Sequence, residues 1–166
     1  MQLVLYKSML TVNDLIQSQD DLISHIYRAY LWSECWLTVN DLGNLDWHTV
    51  SFDEANVGQV AEAPGIYSFI INPRITNHPH RYLGYIGMTE RTLRERFNEY
   101  ITESNNVKGR PKVLRMLNKW QGYIDFCYLV VQDQNISEIE TRLNDAFLPP
   151  FNSDFSVDTN RIINAF

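Results

Sequence analysis

Residues 65–71 run Gly65-Ile66-Tyr67-Ser68-Phe69-Ile70-Ile71, a stretch of β-branched and aromatic side chains that predicts a strand. Asn72-Pro73 and residues 77–80, with Pro79 among them, break it into a loop. Residues 81–86 then predict a second strand, so the two pair as a hairpin with a long, irregular connection. A third strand is expected over residues 124–131. Between the second and third strands, Thr92-Leu93-Arg94-Glu95 has the form of a capping box opening a helix, and residues 111–119 predict another. Ser137-Glu138-Ile139-Glu140 is a second capping box, Ile139, Leu143 and Phe147 give its helix an apolar stripe, and Pro149-Pro150 stops it. The order strand, strand, helix, helix, strand, helix implies an α+β fold: a small three-stranded, mostly antiparallel sheet flanked by helices.

The chain before this unit has a different texture. Leu22, Ile23, Ile26, Tyr27, Tyr30 and Leu31 recur with a helical period and predict a helix over residues 18–36, capped by Ser18, Asp20 or Asp21. Residues 38–46 and 53–63 predict loops around a short strand near 48–52. Trp32, Trp36 and Trp47 are expected to pack this region, and Trp120 to join the core. Residues 1–60 thus form an acidic, largely helical extension, expected as a layer apart from the sheet's working face. Residues 61–155 form the main unit and 156–166 a tail.

Charge sharpens the division. The chain has 166 residues and a net charge of -6. Residues 1–63 carry two basic side chains against nine acidic ones, whereas residues 81–119 hold nine Arg or Lys against four Glu. A local basic stretch contacts phosphate even in an acidic protein, although a solvated helical surface is the plainer reading. A hydrophobic content of 45% excludes wholesale disorder. No apolar run is long enough for a membrane span, and the first residues lack the pattern of a signal peptide. Cys35 and Cys127 lie far apart, which fits reduced thiols and a cytoplasmic location better than a disulfide.

Two residues resist a purely structural account. Arg96 lies on or beside the apolar face of Leu93, Phe97, Tyr100 and Ile101, where a guanidinium needs a carboxylate, a phosphate or a snorkelling route. Glu140 lies beside the Ile139, Leu143, Phe147 stripe, and its structural role there is the capping box itself. Arg94 falls on the polar side. Lys108, Arg110, Lys112, Arg115 and Lys119 could track a nucleic-acid backbone, with Gly109 and Pro111 marking a loop. His78-Pro79-His80 reads as a solvated turn rather than a metal site, and His25 and His48 as structural or surface residues.

Taken together, Gly65-Ile66-Tyr67, Tyr85-Ile86-Gly87, Thr89, Leu93, Arg96, Glu140 and Pro149-Pro150-Phe151-Asn152 follow in order the pattern of the GIY-YIG nucleases. Residues 61–155 resemble that family. Tyr100 falls where members often carry His or Tyr, and Met88 stands where some place a Lys. The resemblance implies a metal-dependent endonuclease that hydrolyses a DNA phosphodiester with one Mg²⁺ or Mn²⁺. By the same resemblance Tyr67 and Tyr85 flank the attacking water, one serving as general base or orienting it, with cations lowering its pKa. Arg96 holds the scissile phosphate, Glu140 binds the metal, and Asn152 positions that Glu and the strand edge. Gly87 lets the backbone approach substrate, and Thr89, Tyr100, Lys108, Arg110 and Lys112 complete the substrate-binding set. The alternative is a catalytically weak or inactive module of the same fold that binds nucleic-acid structure or a protein. Its acidic front is the surface that would meet a partner or pair two copies as a homodimer.

Overall fold

The computed structural model describes residues 16, 19, 27–29, 32–42, 45–74, 80–104, 110–131 and 135–163. Four strands form one antiparallel sheet: β1 (His48–Ser51), β2 (Gly65–Ile71), β3 (Tyr82–Thr89) and β4 (Ile124–Val130), in the order β1-β4-β2-β3. The helices are α1 (Ser33–Leu37), α2 (Leu93–Ser104), α3 (Pro111–Lys119), α4 (Ile136–Phe147) and α5 (Val157–Ile163). Two 3₁₀ turns, Asn40–Leu42 and Glu54–Gln59, flank β1. The α+β class is as expected, with four strands in the sheet rather than the expected three.

That extra strand comes from the acidic front. β1 pairs along β4, Thr49 opposite Cys127 and Val50 opposite Phe126. Residues 48–51 are therefore part of the sheet, and the expectation of a separate helical layer fails there. The expected helix over residues 18–36 is also interrupted. Residues 27–29 are not helical, and Trp32 holds an extended backbone before α1 begins. Leu22, Ile23, Ile26, Tyr30 and Leu31 lie outside the described residues. Tyr27 packs on the core and donates its hydroxyl to the Leu83 carbonyl oxygen at 2.6 Å. Trp32 and Trp36 are exposed rather than core, whereas Trp47 and Trp120 pack against it. Cys35 and Cys127 are both free thiols.

The period of two in β2 sends Tyr67, Phe69 and Ile71 to one face and Ile66, Ser68 and Ile70 to the other. The first face is the main core. Tyr67, Phe69, Tyr85, Phe126 and Tyr128 meet Leu93, Phe97 and Tyr100 of α2 and Val113, Met116 and Leu117 of α3. Rings here meet edge-on, as Phe69 does Tyr100 and Phe97 does Phe126, which adds about 0.5–1.5 kcal/mol per pair beyond area burial. The second face is smaller: Ile66, Ile86 and Leu143, with Ile139 and Trp47 alongside. So α2 and α3 cover one face and α4 the other.

Local signals set the helix starts. At α2 the capping box is real and reciprocal: Thr92 N–H donates to Glu95, and Glu95 N–H to the Thr92 hydroxyl, each at 3.1 Å. Arg94 is not a free polar residue, since it clamps the carbonyl oxygens of Val60 and Gly58 and pairs with Glu62. Pro111 is the first residue of α3, where its missing N–H costs nothing. At α4 the expected capping box at Ser137 does not form. The cap is Asn135, whose side chain meets Glu138 at 2.6 Å, and Ser137 lies inside the helix. Phe147, expected on the buried stripe, is exposed at its end, and Leu143 and Ala146 are buried instead. The expected tail carries α5, tied back by Ser156 N–H donating to Asp145.

Candidate active site

The edge strand of the sheet, β3, builds the site. An edge strand leaves alternate N–H and C=O groups unpaired, and these need partners. Here they are met one by one. Phe151 N–H donates to the Gly84 carbonyl oxygen at 3.1 Å. Asn152 serves both sides of Ile86, accepting from its N–H at 3.0 Å and donating to its carbonyl oxygen at 2.7 Å. The Met88 backbone lies near enough to the Glu140 carboxyl to favour its charged form. Asn152 thus closes the strand edge as expected, with Glu140 beside the same strand. Since Ser137 is no cap, Glu140 is not held by a capping box.

A cavity of about 760 Å³ lies along this edge. Tyr85, Arg110, Lys112, Glu140, Asn144 and Asp154 line it, with Asn152. Glu140 and Asn144 come from α4, behind the sheet, while Tyr85 and Arg110 come from the front. The open edge of β3 is what lets the two layers meet.

On the front side three phenols and two guanidinium groups interlock. Tyr67 Oη lies 3.0 Å from Tyr100 Oη. Arg96 Nε donates to Tyr67 at 3.1 Å and its Nη2 to Tyr100 at 3.0 Å. Arg110 Nη1 donates to Tyr85 at 2.5 Å and its Nη2 to Tyr100 at 2.7 Å. The Arg96 guanidinium also lies over the Tyr100 ring, 4.3 Å from its centroid, a cation–π contact. Arg96 meets Glu99 at 2.7 Å, and Glu99 in turn meets Arg91 at 2.6 Å. With four guanidinium N–H bonds directed at three phenol oxygens, the lone pairs left are fewer than the hydroxyl protons. At least one hydroxyl proton is therefore left without an acceptor inside the cluster.

Burial decides the protonation of these phenols. It pushes the pKa of Tyr67, Tyr85 and Tyr100 up, and the nearby Arg96 only partly offsets it. Without a metal, burial outweighs Arg96 at all three phenols and favours their neutral, donating form. Glu140 is half-buried, and burial followed by the charge of Asp154 raises its pKa, with the Met88 backbone acting the other way.

Gly87 has a reason other than the expected approach to substrate. It lies opposite Tyr67 in the β2–β3 register, and a Cβ there would sit 2.7 Å from Tyr67 Oη and 2.8 Å from the Tyr85 ring. Only glycine lets both rings close over this strand. Thr89 is buried opposite Gly65 and does not line the cavity. Lys112 lines it, with Nζ 3.4 Å from the Asn152 carbonyl oxygen. Lys108 lies outside the described residues, as do His25, His78 and Pro79. Two lining residues escaped the sequence reading, Asp154 and Asn144. Asn144 is buried, and its Oδ1 has no hydrogen-bond partner among the described residues. The signal for it was its spacing, one turn beyond Glu140 on the same helix face.

Among the described residues, no group of three or more His, Cys, Asp or Glu side chains is placed to hold a metal ion. No helix among them is long and apolar enough to cross a membrane. The sequence matches no protein-family model, no curated protein and no solved structure. The likeness to the GIY-YIG nucleases therefore rests on the motif residues alone.

Proposed function

We propose that this protein is a metal-dependent endonuclease that hydrolyses DNA phosphodiester bonds at the β3 edge. The observation that carries this reading is the convergence of Tyr85, Arg110 and Glu140 on one cavity, with Tyr67, Tyr100 and Arg96 hydrogen-bonded behind the front wall. These residues are scattered through 74 positions of sequence, from 67 to 140, and a fold with no use for them has no reason to assemble them. The front of the cavity is rich in protons and positive charge, which suits the oxygens of a phosphate diester. The back carries the Glu140 carboxylate, and an oxygen donor of this kind fits Mg²⁺ or Mn²⁺, which retain several waters. A divalent cation held at Glu140 supplies positive charge to the phosphate as negative charge develops on it.

The chain's own residues do the rest. Arg110 and Lys112 at the cavity wall, with the first turn of α3, draw the phosphate in. Arg96 holds Tyr67 and Tyr100 in place through its planar fork and adds its charge from behind. Tyr85, the phenol that lines the cavity, donates to a phosphate or water oxygen and orients it. Neutral phenols fit this role and not that of a base, so the proton lost by the attacking water goes to solvent or to phosphate oxygen. Hydrolysis adds the water oxygen to phosphorus, breaks one P–O ester bond, and leaves a proton on the departing oxygen.

One observation favours the second reading, a binding module with little chemistry. Arg96 already has a carboxylate partner in Glu99, so its charge is partly spent within the fold. The same assay separates the two readings. Supercoiled plasmid and a panel of linear and branched DNAs are incubated with the protein and Mg²⁺ or Mn²⁺, against EDTA. Cleavage that EDTA abolishes is expected; retention of DNA in a gel shift with no cleavage of any substrate in either metal favours the binding module.

A further inference from the structure

Tyr82 and Tyr85 are three residues apart on β3, a spacing that in a regular strand sends side chains to opposite faces. Here they share one, because the strand carries an extra residue. Phe69 stands opposite Tyr85 and Ile70 opposite Leu83, which leaves Gly84 unmatched in a β-bulge. Tyr82, opposite Ile71, therefore comes to the side of Tyr85, where α3 packs. The bulge lies close under that helix: a Cβ on Gly84 would meet Met116 Sδ at 2.5 Å. Tyr85 lines the β3-edge cavity, and Tyr82 lines a second one of about 600 Å³ with Tyr27, Lys119, Trp120 and Tyr123. The two are neighbours, since Trp120 of the second meets Phe151 of the first with ring centroids 5.7 Å apart.

The second cavity presents exposed rings on a fixed backbone. Tyr82 is 41% exposed and Tyr123 51%. Tyr123 N–H donates to the Trp120 carbonyl oxygen at 2.9 Å, and its own carbonyl oxygen accepts from Asn72 N–H at 2.7 Å. The Tyr82 ring leans on Tyr27 at 5.2 Å between centroids. A basic strip leads from one cavity to the other. Lys112, Arg115 and Lys119 recur at i, i+3 and i+7 along one side of α3. Lys112 lines the first cavity, Lys119 the second, and Arg115 is exposed between them, over a span of about 10 Å of helix. Lys112 and Arg115 form no ion pair among the described residues. Cations that track phosphates, ending at a platform of aromatic rings, are the combination that holds a single nucleic-acid strand. The bases of a duplex hide their faces in their own stack, so such rings serve an unpaired base.

We propose that Tyr82 and Tyr123 form a subsite that stacks an unpaired base of the DNA strand whose phosphate lies at Tyr85 and Arg110. The preferred substrate then carries a single-stranded stretch beside the cut. This rests on the endonuclease reading and names its substrate class.

Binding to the full-length protein is read in EDTA by fluorescence anisotropy, with a labelled oligothymidine strand and with the same strand carrying abasic sites in place of its bases. The wild type is expected to bind the oligothymidine strand about 10-fold or more tighter than the abasic one. Tyr123→Ala should weaken the oligothymidine strand about 5-fold or more and leave the abasic strand nearly unmoved. Tyr123→Phe should restore wild-type binding, because the ring does the stacking. Tyr82→Ala should act as Tyr123→Ala does; should it not fold, the two Tyr123 variants decide. Trp32→Ala removes an exposed ring that lines neither cavity, and should change either Kd by less than about twofold. Equal affinity for the two strands would overturn the subsite, as would a loss in Trp32→Ala as large as that in Tyr123→Ala. If that protein still cuts DNA in Mg²⁺, the endonuclease reading stands without the subsite. A wild type that binds neither strand would also overturn the subsite and leave these rings to a protein partner. Base-selective binding through Tyr123 by a protein that cuts no DNA in either metal would keep the subsite and overturn the endonuclease reading.

Discussion

The two walls of the β3-edge cavity are built on opposite principles. On the front wall every phenol oxygen is engaged as an acceptor. Tyr67 and Tyr100 are about 1% and 0% exposed, and every phenol oxygen receives a guanidinium N–H. The back wall is unfinished. Glu140 forms no ion pair among the described residues, Asp154 lines the same cavity, and Asn144 Oδ1 has no partner among them. A wall so engaged keeps its shape with or without a ligand, so its geometry is set by folding. An unfinished wall takes its final form from what binds. On the proposed reading, the front would fix where an anion sits and the back what accompanies it.

The largest expected effect comes from breaking the front wall's fork. Arg96→Lys keeps the charge but cannot reach Tyr67 and Tyr100 together, because an ammonium is a single point donor group. Cleavage should fall by about 10²–10³-fold with the fold retained, as read by single-turnover kinetics and circular dichroism. Wild-type rates in Arg96→Lys would mean the fork is ornamental.

Gly87→Ala tests the packing of the same wall. The new methyl group meets Tyr67 Oη at 2.7 Å and the Tyr85 ring at 2.8 Å, and neither ring has space to retreat. The loss should be about 1–3 kcal/mol in urea denaturation, the usual cost of overpacking a core. Gly58, which has nothing within 4 Å of its added Cβ, is the matched control and should tolerate Ala.

These two residues differ in how far the sequence revealed them. Arg96 and the Thr92 capping box are local features, spaced within one helix, and the chain displays them directly. Gly87 was recognised as part of a motif, but its packing role was not, because the clash involves a ring on the neighbouring strand. β1 was visible as a short strand and its place was not. The contact that seats it, Thr49 against Cys127, spans 78 residues, and no periodicity carries such information. At α4, Asn135 and Ser137 each stand three residues before a Glu, and the choice between the two frames was settled by tertiary packing. Asp154 and Asn144 escaped because their chemistry exists only once α4 and the chain after Asn152 share a cavity.

A smaller effect separates the hydroxyl from the ring. Tyr67→Phe preserves the stacking on Phe126 but removes an acceptor of Arg96 Nε. Stability should drop by about 1 kcal/mol, the net worth of a hydrogen bond. A loss several times larger would show that the network is cooperative rather than pairwise.

The smallest effect concerns the back wall and pH. In the metal-free protein, burial and the charge of Asp154 raise the Glu140 pKa above its unfolded-state value. The stability linked to the raised pKa is present below the unfolded pKa and is lost as pH rises through the folded one. Stability should therefore dip slightly across that window, and Asp154→Asn should shrink the dip. Carboxyl carbon titration by NMR reads the group itself. A Glu140 midpoint at or below the ordinary glutamate value would show that the back wall is already satisfied.

The most direct test of the whole account is Glu140→Gln on the DNA substrate that the wild type cuts. Gln has nearly the same shape and Glu140 caps no helix, so the melting temperature should stay near that of the wild type. Cleavage in Mg²⁺ should fall by at least about 10²–10³-fold, the scale of losing one electrostatic contributor to the transition state. DNA binding by Arg96, Arg110 and Lys112 should persist, or tighten, with one negative charge gone from beside the phosphate. A folded Glu140→Gln protein that cuts at close to the wild-type rate would remove Glu140 from the site and contradict the account.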